Sequence, residues 1–238
     1  MRRAIRQVFA QAVECFDPGG PVVELGARYE PGYAWLSDLR PLFQGREYIG
    51  CDIRQGPGVD RIENAESLTF ADGSVGTLVL CEILEHLRHP QRALAEARRV
   101  LRPDGLLLLS VPFLYRLHGF PSDYWRFTRA GVHVLLEAFG ARVVCDVGPR
   151  HKPAFAVAAA SPSAHHAFRA GEQRFRNAVG PALATTRWRG FRSALAERAR
   201  DLAGLLLGRA ELGVRFFDPD EPDRYGAAPV EQHHEGSR

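Results

Sequence analysis

Lysine is almost missing from this chain of 238 residues: Lys152 stands alone, and arginine supplies every other positive side chain. That bias points to a GC-rich, bacterial coding sequence. The acids nearly balance the arginines, and a formal net charge of +3 is too small to argue for a nucleic-acid partner. Long apolar runs are missing too. Leu106-Leu107-Leu108-Leu109 and the stretch 155–160 are far short of the roughly 20 residues that cross a bilayer. Cys15, Cys51, Cys81 and Cys145 form no C-x-x-C pair, which argues against a disulfide framework or a zinc site. The start of the chain, Met1-Arg2-Arg3-Ala4-Ile5-Arg6, is basic, but Gln7, Gln11 and Glu14 interrupt the apolar core of a signal peptide. A cytoplasmic protein is expected. With 45% apolar residues the chain is long enough to bury a full core. It divides by composition into a domain over 1–161, a basic helical extension over 162–217 and a polar tail over 218–238, expected to be disordered.

Within the domain the hydrophobic pattern alternates between two periods. Ile5, Val8, Phe9, Ala12 and Val13 lie at helical spacing over 4–16, and Asp17-Pro18-Gly19-Gly20 ends that helix. Strands are then expected at 22–25, 47–51, 75–81, 105–111, 141–147 and 155–160, with a second short apolar stretch at 59–62. Helices are expected at 32–41, at 90–101 with Ala93, Leu94, Ala97, Val100 and Leu101 inward, and after Thr128, an N-cap for Val132, Leu135 and Leu136. Continuous apolar strands alternating with helices imply a mainly parallel α/β sheet covered on both faces, Rossmann-like in class. In such sheets the ligand lies beyond the carboxyl ends of the strands, so the loops that follow strands are the ones to inspect.

The first of these loops is short of glycine. Glu24-Leu25-Gly26-Ala27-Arg28-Tyr29-Glu30 has one glycine to turn the backbone, whereas a dinucleotide fingerprint needs more; this argues against NAD or FAD. The second strand ends in Cys51-Asp52-Ile53, placing a carboxylate where it can accept from both ribose hydroxyls of a nucleoside. Further on come Asn64-Ala65-Glu66-Ser67-Leu68 with Asp72-Gly73-Ser74, Leu84-Glu85-His86-Leu87, and Val100-Leu101-Arg102-Pro103-Asp104-Gly105. Taken in this order, the series resembles the class I S-adenosylmethionine-dependent methyltransferases over residues 20 to 160. Within that class it is similar to small bacterial enzymes carrying a segment like Phe120-Pro121-Ser122-Asp123-Tyr124-Trp125-Arg126-Phe127-Thr128.

The resemblance implies S-adenosylmethionine as cofactor. Glu24 and the backbone of Gly26, Ala27 and Arg28 would meet its methionine part, Asp52 with Ile53 the ribose side, and Asn64, Ala65 and Glu66 the adenine. Cys81 and Glu82 would floor the pocket under the sulfonium. Arg28 and Glu30 stand where the class usually has glycine, so the first loop must approach the cofactor differently. The interval from Asp52 to the strand at Val75 is short, so one crossover helix is expected to shrink to a loop.

Methyl transfer is an in-line displacement that needs alignment and a dry site, and a base only where the acceptor must lose a proton. His118, Asp123 and Tyr124, in the long aromatic connection from Pro112 to Arg126, are the catalytic candidates, with His118 first as proton acceptor and His86 nearby. No Asn-Pro-Pro-Tyr-type motif and no acidic metal-binding cluster is seen, so no metal is assigned. The expected function is methyl transfer to a small-molecule acceptor, an oxygen of a sugar or secondary metabolite. A catalytically idle cofactor-binding scaffold is the alternative that the glycine-poor loop suggests. An RNA-modifying methyltransferase is the one suggested by the late arginines, Arg169, Arg174, Arg176, Arg187, Arg189, Arg192, Arg198 and Arg200. An amphipathic helix marked by Phe191, Leu195, Ala199, Leu202 and Leu206 could form a homodimer contact, a lid, or a surface for anionic lipid or RNA.

Overall fold

The computed structural model describes residues 3–119, 121–148, 153–184 and 213–216. Helix α1 (Arg3–Phe16) buries the expected face, with Ile5, Val8, Phe9 and Ala12 inside. Eight strands follow: β1 (Val22–Leu25), β2 (Tyr48–Asp52), β3 (Arg61–Ile62), β4 (Val75–Cys81), β5 (Leu101–Pro112), β6 (Ala141–Gly148), β7 (Phe155–Ser161) and β8 (Gly213–Phe216). They form one sheet in the order β3-β2-β1-β4-β5-β7-β6-β8. The first five run parallel, β7 is antiparallel to β5 and β6, and β8 is antiparallel to β6. Strand order reverses between β1 and β4, which in such sheets opens a crevice at the carboxyl ends of those two strands.

Side-chain parity assigns the two cores. Val23, Leu25, Leu78, Leu80, Leu107 and Leu109 pack with Ala93, Leu94, Ala97 and Val100 of helix α3 (Pro90–Val100) and with Val132 of α4 (Arg129–Leu135). Val22, Val79, Leu106 and Leu108 pack with α1 and with Phe168, Phe175, Val179 and Leu183 of α5 (His166–Ala184). Because both faces are covered, runs such as Leu78-Val79-Leu80 and Leu106-Leu107-Leu108-Leu109 are apolar at successive positions. Thr128 caps α4 as expected, its hydroxyl accepting the Gly131 N–H at 3.0 Å.

Two expectations are corrected. Residues 32–41 do not form one helix: a 3-10 turn (Pro31–Tyr33), a single helical turn α2 (Ala34–Ser37) and a second 3-10 turn (Arg40–Phe43) take their place. Asp38 accepts the Arg40 backbone N–H at 3.0 Å and Pro41 has no donor, so a continuous helical ladder cannot run through. The turn expected at Arg102-Pro103-Asp104-Gly105 is a bulge within β5, where pairing jumps from Val75 with Leu101 to Thr77 with Leu106. Helix α5 packs on α1, and Arg174 donates twice to the Cys15 carbonyl (3.1 and 2.6 Å), satisfying an orphan carbonyl at the negative end of α1. The amphipathic stretch through Phe191 and Leu206, Lys152 and the tail 218–238 lie outside the described residues. No helix among the described residues is long and apolar enough to cross a membrane.

Between β3 and β4 the chain runs as a loop, and Arg99 of α3 holds it. Its guanidinium donates to the carbonyls of Leu68 (3.0 Å) and Phe70 (2.9 Å) and to Asp72 (2.6 Å) and Glu96 (2.7 Å), while Glu96 accepts the Leu68 N–H at 2.7 Å. Removing this fork strands several acceptors at once. The Arg99→Ala protein should lose about 1–3 kcal/mol in urea denaturation, and Arg99→Lys should recover little of it, since one ammonium cannot reach the same set of acceptors.

Candidate active site

The crevice at the switch point is built around Gly26. Its φ of 81° lies in the left-handed region, its N–H and that of Ala27 both donate to the Cys51 carbonyl (2.8 and 2.9 Å), and a Cβ there would fall 2.2 Å from Ile83 Cγ2. Glycine is required on both counts. The loop after β1 therefore touches the loop after β4. Arg28 and Glu30, which stand where glycine is usual, form an ion pair at 3.6 Å and are accommodated from outside. The loop after β2 folds over them: Tyr29 N–H donates to Pro57 O at 3.1 Å, Arg28 lies against Gly56, and a Cβ at Gly58 would sit 2.5 Å from the Ala27 carbonyl. The glycines absent from the first loop are supplied by the second.

Glu24, next to last in β1, is buried, with its carboxylate accepting from the Tyr48 hydroxyl. Burial pushes its pKa up to about 7, against the opposing pull of that hydrogen bond. At the tip of β2, Asp52 accepts the Arg54 N–H at 2.9 Å and remains half-buried. Beside it Ile53 is 65% exposed. An acceptor next to a bare aliphatic surface suits a ribose with its adjoining base, so these residues fit a nucleoside cofactor. Asn64 accepts the Glu66 N–H (3.0 Å) and Glu66 accepts the His89 N–H (3.1 Å) at the start of α3. Their side chains thus shape the turn, while Ala65 is buried under it. Cys81 Sγ accepts from the Ser110 hydroxyl at 3.4 Å. Glu82 turns the chain with φ 55°, a costly conformation for a residue with a side chain and one that gathers at functional sites.

The next residues meet the loop after β5. The Glu85 carbonyl accepts the N–H groups of Tyr124 (2.8 Å) and Trp125 (3.3 Å), the Trp125 indole donates to Leu87 O (2.8 Å), and His86 Nδ1 donates to Ser122 O (2.6 Å). Under this strap the Glu85 side chain is 0% exposed and neither carboxylate oxygen receives a hydrogen bond. His86 Nε2 and His118 Nε2 stand 3.8 and 3.7 Å from its Oε1, with the two rings in edge contact. Asp123 accepts the His118 backbone N–H (2.8 Å) and both terminal nitrogens of Arg126 (2.6 and 2.8 Å).

Charge follows the geometry. Arg126 holds the Asp123 carboxyl well below the usual carboxylate range. Burial, then the neighbouring Glu82, pushes Glu85 up to about 9, and burial lowers His118. Of the three catalytic residues expected from sequence, His118 and Asp123 come together here. Tyr124 does not: its ring is 42% exposed and lies beneath the Arg88 guanidinium. Glu85 was missed as a site residue. No spacing in the chain marks it: β4 ends at Cys81 and β5 at Pro112, and only the fold brings Glu85 and His86 to His118.

Residues 39–109 match the family described as a methyltransferase domain. An uncharacterised methyltransferase of Mycobacterium sp. (strain KMS) is 32% identical over 44% of this chain and 44% of its own length. An uncharacterised 37.1 kDa protein in transposon TN4556 of Streptomyces fradiae is 40% identical over 46% of this chain and 35% of its own. The chain thus spans less than half the length of the curated relatives it matches. Among solved structures, an S-adenosylmethionine-dependent methyltransferase from Thermotoga maritima, titled a possible histamine N-methyltransferase, aligns with a TM-score of 0.51 and 20% identity over 66% of this chain and 89% of that one. The Burkholderia thailandensis 1,6-didemethyltoxoflavin-N1-methyltransferase, bound to 1,6-didemethyltoxoflavin and S-adenosylhomocysteine, aligns at 0.52 and 20% over 68% and 79%. Residues 39–109 thus match a methyltransferase domain, and the sheet has the fold of solved S-adenosylmethionine-dependent methyltransferases.

Glu24 provides a check on the strand-end environment. A carboxyl raised from 4.5 to about 7 on folding binds its proton more tightly in the native state, so its contribution to stability is complete below about pH 4.5 and is lost as pH rises through 7. Glu24→Gln, which can still accept from Tyr48, should flatten the stability profile between pH 4 and 8. At pH 8 it should exceed the parent protein by roughly 1–3 kcal/mol in denaturant titrations.

Proposed function

We propose that this protein is an active S-adenosylmethionine-dependent methyltransferase whose acceptor is a small molecule methylated on a hydroxyl oxygen, of sugar or secondary-metabolite type. The observation that carries this reading is the gathering of His118 and Asp123 with Glu85 and His86 under the 113–126 segment, at the same end of the sheet as Gly26 and Asp52. A hydroxyl must give up its proton to be methylated, and such a group serves that step.

In this reading Glu24 meets the ammonium of the methionine part, and the backbone of Gly26, Ala27 and Arg28 its carboxylate. Asp52 accepts from the ribose, while Ile53 and the turn at Asn64, Ala65 and Glu66 flank the adenine. Cys81 and Glu82 form the floor. S-adenosylmethionine supplies an electrophilic methyl on a sulfonium. The chain's own task is to exclude water and align the acceptor, which the strap over Glu85 does by covering the strand ends. His118 presents an imidazole lone pair toward the buried carboxylate, available to the acceptor's hydroxyl, and Asp123 fixes the main chain on which it is carried.

The two solved relatives named above have nitrogen acceptors in their titles, and at their identity they speak for fold alone; the choice of oxygen rests on the cluster. The RNA reading loses ground because Arg174 is spent on the end of α1 and Arg176 on Glu172 at 2.7 Å. Incubation with methyl-labelled S-adenosylmethionine and a small-molecule extract of the host should transfer label to an extracted compound. Asp52→Ala should weaken cofactor binding at least tenfold in calorimetry while leaving the melting temperature unchanged. Cofactor binding without transfer to any fraction would favour the idle scaffold, and label in RNA the RNA enzyme.

A further inference from the structure

The cluster under the strap has a property that a proton relay does not explain. His86 Nδ1 is held by Ser122 O at 2.6 Å, while His118 Nδ1 lies 3.3 Å from Asp123 Oδ2 without a hydrogen bond. Both Nε2 atoms face one oxygen of the Glu85 carboxyl, which receives no hydrogen bond. Buried carboxylates without partners are rare, because the desolvation cost is several kcal/mol. An outward Nδ1 on a carbonyl or carboxylate is also how a metal-ligating histidine is held, with its lone pair on the other nitrogen.

We propose that Glu85, His86 and His118 bind one divalent transition-metal ion, of the zinc, cobalt or manganese type, at the carboxyl ends of β4 and β5. One ligand atom from each of the three lies within 4.8 Å of the others, and Oε1 stands 3.8 and 3.7 Å from the two Nε2 atoms. Two ligands about 2.1 Å from a tetrahedral ion are about 3.4 Å apart, so the site needs only a slight contraction to close on a cation. Two imidazoles with one carboxylate favour zinc-like ions over magnesium or calcium, which prefer oxygen.

The surrounding charge agrees. Glu82 lies close enough to act on Glu85, and Arg126, the nearby cation, is already engaged by Asp123. The ion supplies the partner that Glu85 lacks.

Three protein ligands leave a coordination position open. This extends the proposed function by assigning the proton step. A hydroxyl oxygen of the acceptor in the open position gives its proton to solvent more readily. Its lone pair then forms the O–CH3 bond as the C–S bond breaks, and S-adenosylhomocysteine leaves. His118 in this arrangement holds the ion rather than the proton.

The test uses the full chain, stripped with EDTA and titrated with Zn²⁺ and with Co²⁺ by calorimetry and visible absorption. The expected result is at least one equivalent bound at micromolar Kd or tighter, with cobalt d–d bands and a rise in melting temperature that EDTA reverses. Glu85→Gln and His118→Asn should each lose one equivalent and the cobalt bands; His118 is partly exposed, so its variant tests the site even if Glu85→Gln fails to fold. No uptake of either ion by the parent protein, or a stoichiometry unchanged in His118→Asn, overturns the proposal. S-adenosylmethionine affinity measured on the same stripped sample separates the two readings. Cofactor binding without metal uptake defeats this inference alone, while metal uptake without cofactor binding supports it and counts against the proposed function.

Discussion

The carbonyl oxygen of Glu85 joins the two loops on which the candidate site depends. By accepting the N–H groups of Tyr124 and Trp125 it fastens the connection after β5 to the one after β4. Parallel neighbours make this contact available, because their carboxyl ends lie side by side. Glu82, in its left-handed conformation, aims the first loop across the strand ends. Gly119, at φ 63°, lets the second loop pass His86, whose Cε1 would be 2.8 Å from any Cβ there. The same fastening seals Glu85 from solvent and sets His118 beside it, so burial, ring orientation and the ion pair of Asp123 with Arg126 all follow from one main-chain interaction.

The crevice at the switch point shows a similar division of labour between distant segments. Gly26 satisfies a local demand, a left-handed turn under Ile83. The further glycines that such a loop ordinarily carries are replaced by Gly56 and Gly58, which let a separate loop lie over Arg28 and Tyr29. A glycine-poor first loop therefore reflects a different packing solution rather than a looser one.

Legibility in the sequence tracked the range of the interactions responsible. Period and capping are local, so α1, the buried strands, α3 and the Thr128 cap could be read directly, as could the acid at the tip of β2. Residues 32–41 misled because the apolar spacing was helical while Asp38 and Pro41 supplied competing local chemistry. The bulge at Arg102 to Gly105 looked like a turn because its cause is tertiary: Arg102 reaches the Gly20 carbonyl at 2.5 Å. In the site, His118 and Asp123 were legible as chemistry. Glu85 was not, because what marks it is the absence of a hydrogen-bond donor in three dimensions, which no spacing in the chain encodes.

Strand β8 adds a consequence at the far edge of the sheet. It pairs with β6 and also touches α5. Among the described residues the sheet therefore ends on a strand of four residues rather than on β6 with its eight, which shortens the row of backbone N–H and C=O groups open to pairing with another chain.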